Sequence, residues 1–91
     1  MAVAMLVDSP ECSPEAYQTV RLRLGSRKPA GGIFHIAGPS PKGGWRVVEV
    51  WESEEEAHRF FHDRFVPTLR ALGIEGPPPQ PEFWPVHKAM K

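Results

Sequence analysis

Trp45-Arg46-Val47-Val48-Glu49-Val50-Trp51-Glu52-Ser53-Glu54-Glu55-Glu56-Ala57-His58 is the stretch that decides the fold. Its first half, rich in β-branched and aromatic residues, has the composition of a strand. Its second half opens a helix: Ser53 caps the first turn, and Glu56, three residues on, closes a capping box. Upstream, Ile33–Ala37 is another apolar run, joined to the first by Gly38-Pro39-Ser40-Pro41-Lys42-Gly43-Gly44. Glycine-rich loops that cradle phosphate lead into a helix, whereas this one leads into a strand, so it is read as a long hairpin loop.

The outer elements follow from that centre. Val3–Val7 reads as a strand ending at Asp8-Ser9-Pro10. Ser13-Pro14-Glu15 supplies an N-cap, a proline at the first helical position and an acid in the first turn. Tyr17, Val20 and Leu24 then fall on one side of a helix that Gly25 stops, with Arg21 and Arg23 left for solvent. Ser26–Gly32 is a polar connection. After Ser53, the residues Ala57, Phe60, Phe61, Phe65, Leu69 and Leu72 form one apolar face. Pro67 removes a backbone donor inside that helix, which should kink or restart near Val66, and Gly73 closes it. Glu75–Pro81, with four prolines, should be extended and stiff, and Glu82–Ala89 forms a last strand that Pro85 confines to an edge.

Strand, helix, strand, strand, helix, strand is the split βαβ order of an α+β ferredoxin-like fold, here a single domain over residues 1–91. Both helices should cover one face of a four-stranded antiparallel sheet. The other face, apolar and bare, calls for a partner, and a second copy of the chain is the simplest one. A chain of 91 residues buries a small share of its surface alone, which points the same way.

Composition narrows the function. Eleven acidic residues balance eleven basic ones, against the basic excess of a nucleic-acid binder. No run approaches a membrane span, and the apolar start lacks the basic residues of a signal peptide, so a cytoplasmic location is expected. Cys12 is the only cysteine; it excludes an internal disulfide and has no adjacent base in sequence to make it reactive. The chain has eleven prolines and no asparagine, a composition in the direction of heat-stable proteins.

Alternation in the hairpin puts Ile33, His35, Ala37, Trp45, Val47, Glu49 and Trp51 on one face and Phe34, Ile36, Arg46, Val48 and Val50 on the other. With the loop centred on Pro41, Ile33 lies opposite Glu49, and His35 becomes a diagonal neighbour of Glu49. A paired His and Glu prepare either a general base or a polar contact at an interface, and both readings stay open. His58 and His62 lie at the border of the second helix's apolar arc. Two histidines four apart fall short of the usual three or four metal ligands, so no metal is expected. Arg21, Arg23, Arg27 and Lys28 are read as a solvated basic side rather than an anion site, and His87 carries no clear message.

Val47-Val48-Glu49-Val50-Trp51-Glu52-Ser53-Glu54-Glu55, with histidines following and Val66-Pro67-Thr68-Leu69 before Gly73, resembles the dimeric α/β-barrel superfamily, in its antibiotic-biosynthesis-monooxygenase-like branch. The resemblance implies a homodimer with a pocket in each subunit between sheet and helices. It also implies cofactor-independent oxygenation of aromatic substrates as one activity, haem degradation as a weaker variant, and a functional histidine at His58 or His62. The long hairpin loop and Pro77-Pro78-Pro79 depart from it. The candidate site is therefore His58 and His62 as catalytic residues, with His35, Glu49 and Trp51 binding a small aromatic ligand, and with no cofactor. Three classes follow: a small-ligand protein, an oxygenase or isomerase with a histidine base, and a purely structural dimer.

Overall fold

The computed structural model describes residues 2–25 and 28–87. Its strands are β1 (Val3–Ser9), β2 (Gly32–Pro39), β3 (Trp45–Trp51) and β4 (Glu82–Pro85). They form one antiparallel sheet in the order β2-β3-β1-β4. Helix α1 (Pro14–Leu24) crosses from β1 to β2, and α2 (Glu54–Phe60), a π-helical turn (Phe61–Phe65) and α3 (Val66–Ala71) lead from β3 toward β4. This is the α+β ferredoxin-like arrangement expected from the sequence. Of the last-strand reading Glu82–Ala89, residues 88 and 89 lie outside the described residues, as do 26 and 27 of the connection Ser26–Gly32. No helix among the described residues is long and apolar enough to cross a membrane.

The caps form as their residue types dictate. Ser13 Oγ accepts from the Ala16 amide at 3.0 Å, and Ser53 Oγ accepts from the Glu56 amide at 3.2 Å. Alternation along β1 sends Val3, Met5 and Val7 under the helices, where Met5, Val7, Trp51 and Ala57 form the core with Val47, Phe60 and Phe83 packed on it. The opposite face carries Phe34 and Ile36 (57% and 53% exposed), with Leu6, Val48, Val50 and Trp84 beside them in the pairing register.

Two details correct the expectations. The hairpin centres on Lys42, not Pro41: the pairs are His35 with Glu49, Ala37 with Val47 and Pro39 with Trp45. The strands therefore run past Gly38, and the loop closes where the Ser40 amide donates to the Gly44 carbonyl at 3.0 Å. Gly44 makes this closure possible, because at φ 78° it lies so tightly on Ser9 and Pro10 that any Cβ would collide with their backbone. A bulge between Gly32 and Phe34 leaves Ile33 out of the paired register. The second correction concerns α1, where Arg21 is half-buried rather than left for solvent.

The helix interruption takes a definite form. Ahead of Pro67, the Val66 amide donates to the Phe61 carbonyl, an i to i−5 bond of a widened turn. The wider turn relieves the clash between the proline ring and the carbonyl four residues earlier.

Candidate functional site

Glu49 is the centre of the site. On β3 it faces the helices, flanked by Met5 of β1 and His35 of β2, and its side chain is 14% exposed. Its Oε2 lies 2.6 Å from His35 Nδ1, and its Oε1 accepts from Trp51 Nε1 at 3.0 Å. On its other side, His35 Nε2 lies 2.6 Å from the Tyr17 hydroxyl. Trp51, Glu49, His35 and Tyr17 thus form one unbroken hydrogen-bonded chain across β3, β2 and α1.

The protonation states follow from the partners. A carboxylate only accepts, so His35 carries its proton on Nδ1 and offers Nε2 as an acceptor, which Tyr17 O–H fills. Burial pushes the Tyr17 phenol above its ordinary value; Arg21 opposes this and Glu49 adds to it. The tyrosine therefore keeps its proton at neutral pH. Its ring lies nearly parallel to His35, 6.1 Å between centroids and 19° between planes, and leans on Trp45 at 5.2 Å.

Tyr17, His35 and Glu49 border a cavity of about 490 Å³ between the sheet and the helices. Such a volume falls within the roughly 300–1,000 Å³ of small-molecule sites. Its walls are largely apolar: Trp45 and Val47 from the sheet, Val20 from α1, and Phe60, Phe61 and Phe65 from the second helical segment. Ile74, Glu75, Pro77 and Pro79 of the proline-rich connection complete it, and Arg21 also lies on its lining. Cys12 is at its edge, where burial pushes the thiol up and so keeps it protonated.

The structure brings together His35, Glu49 and Trp51 of the expected site and sets His58 and His62 apart from them. Trp51, 2% exposed, lies behind Glu49, packed on Phe60 at 5.4 Å, and is not part of the cavity wall. His58 pairs with Glu54 at 3.1 Å, stacks on His62 at 6.3 Å and leans on Phe83 at 4.8 Å. Neither His58, which α2 turns toward Phe83 of β4, nor His62 of the π-helical turn lines the cavity. Tyr17 is the participant that sequence reading took for simple core. Its only signal was a hydroxyl on the apolar side of α1, one turn after the cap. Among the described residues, no three His, Cys, Asp or Glu side chains come together as a metal site.

No family model matches this sequence, and no curated protein matches it by sequence. Solved structures do match. A variant of SnoaB, a cofactor-independent oxygenase from Streptomyces nogalater, superposes with a TM-score of 0.62 at 15% identity, over 98% of this chain and 95% of that one. A candidate antibiotic biosynthesis monooxygenase from Deinococcus radiodurans gives 0.55 at 12% identity, over 100% of this chain and 97% of that one. Likeness at such low identity speaks for backbone architecture. The chain shares its ferredoxin-like α+β fold with both structures.

Proposed function

We propose that the protein is a homodimer that binds a planar aromatic molecule in this cavity and removes a proton from it, as the first step of a cofactor-independent oxygenation. The observation that carries this reading is the Glu49–His35–Tyr17 chain ending on an apolar, aromatic-walled space. Glu49 stabilises the imidazolium that forms when His35 Nε2 takes a proton. Tyr17 hands its own proton to Nε2 as it receives the substrate's, so no tyrosinate accumulates. An acidic methylene between aromatic rings suits the base, since the resulting carbanion is delocalised. That carbanion reduces dioxygen, a C–O bond forms, and the resulting hydroperoxide loses water. The methylene and one molecule of dioxygen thereby become a ketone carbonyl and one molecule of water. The oxygenase named among the structural neighbours supports this outcome.

In this reading the base is His35. His58 and His62, the candidates from sequence, lie outside the cavity. The test is dioxygen uptake with a dihydroxyanthrone as probe, alongside deuterium exchange at its methylene. His35→Gln and Glu49→Gln should each lower turnover on the order of 10²–10⁴-fold, the usual range for a positioned acid–base group, while leaving binding and circular dichroism intact. Exchange without dioxygen uptake would make the reaction an isomerisation. A loss in His58→Ala or His62→Ala matching that in His35→Gln would move the base to the helix. Absence of both binding and exchange would leave the structural reading alone.

A further inference from the structure

We infer that Trp51 is a positioning residue: its indole N–H pins the Glu49 carboxylate and thereby sets the tautomer of His35. The inference deepens the proton-transfer reading above and rests on it for its catalytic meaning. It stands on geometry that the cavity does not include. Trp51 is the largest fully buried side chain, held by Phe60 in the core that contains Met5, Val7 and Ala57. Close packing leaves its ring one position. Its Nε1–H is therefore a fixed donor, and 3.0 Å away it meets Glu49 Oε1.

A carboxylate needs such a fixed point. Its terminal torsion is broad, so on its own the group turns freely about its last bond. With Oε1 held by Trp51, the rotation that remains places Oε2 on His35 Nδ1 at 2.6 Å. Indole N–H only donates, so this partner always favours the ionised acceptor. An ionised acceptor at Nδ1 in turn holds the imidazole proton there and leaves the Nε2 lone pair for Tyr17. Trp51 and Glu49 are two residues apart on one strand face, so the fold builds this relation into β3 itself.

The test is nitrogen NMR of protein labelled in histidine, at alkaline pH and without substrate. The wild type should show His35 as the Nδ1–H tautomer. Trp51→Phe, which keeps most of the ring packing and removes the donor, should shift the population toward Nε2–H. It should also lower kcat roughly tenfold with KM unchanged, by analogy with the groups that orient metal-bound histidines. An unchanged tautomer in folded Trp51→Phe would overturn the inference. If that variant does not fold, the Trp51 indole N–H resonance decides: it should move upfield in Glu49→Gln, and failure to move would overturn the inference equally. The tautomer is read without turnover. A shifted tautomer in a protein with no activity would therefore support the positioning role while removing the proposed reaction.

Discussion

Asp8 and Arg46 meet on the open side of the sheet through two parallel bonds, Nε to Oδ1 at 2.7 Å and Nη2 to Oδ2 at 2.9 Å. The hydrogen bond from Arg46 holds the Asp8 carboxyl below its ordinary value. A carboxylate depressed in the folded state adds stability at pH above its unfolded value of about 3.9, and loses it as pH falls through the lower folded value. Urea unfolding of wild type and Asp8→Asn should therefore differ by a constant amount from neutral pH to about pH 5 and converge below about pH 4. Added salt should shrink the gap, because both side chains are partly exposed. At this scale the sequence was legible where alternation governs. His35 and Glu49 share a face in any register shifted by an even number of residues, and moving the loop centre from Pro41 to Lys42 shifts the pairing by two, so that prediction survived. Partners distant in sequence were not legible. Tyr17 reaches His35 across 18 positions, and Asp8 reaches Arg46 across 38, with no periodicity linking either pair.

Among the elements, the divided second helix has a reason beyond its proline. Ala57 and Leu69 are both buried, 1% and 7% exposed, twelve residues apart. In a regular α-helix that spacing leaves the two about 120° out of phase, at about 100° per residue. A π-helical turn absorbs one extra residue and brings them back to within roughly 20°. Phe61 and Phe65, in the widened turn, can then line the cavity while both ends of the segment stay buried. Removing the exposed Asp63 together with Pro67→Ala should give a continuous α-helix and a folded protein, checked by circular dichroism and thermal melting. Removing Asp63 alone should cost about 3 kcal/mol relative to that pair, since the proline then sits inside a regular helix. Pro67 announced the break in the sequence. Its kind did not show, because an apolar arc this wide reads alike with or without one absorbed residue.

For the molecule as a whole, the open sheet face is the unpartnered surface of the fold. Phe34, Ile36 and Trp84 are exposed there beside Val48 and Val50. A contiguous apolar patch on so small a protein is the kind of surface that the proposed second copy would cover. With the proposed second copy seated on it, sedimentation should give a dimer at micromolar concentration. Val48→Lys, in the middle of that face, should give a folded monomer with unchanged far-ultraviolet circular dichroism. A stable wild-type monomer would exclude the dimer. Fold class was readable from order alone, since two crossover helices and one hairpin leave few ways to arrange four strands. A pocket between sheet and helices was expected from the resemblance, but its volume and lining were not readable, because no single element encodes a space between elements. One wall of that space has a thermodynamic consequence. Ile74, Glu75, Pro77 and Pro79 belong to a connection whose prolines already restrict its backbone before anything binds. A guest arriving against this wall has little chain entropy left to remove. Binding against it should therefore cost little chain ordering, and the apolar area covered should show as a negative heat-capacity change.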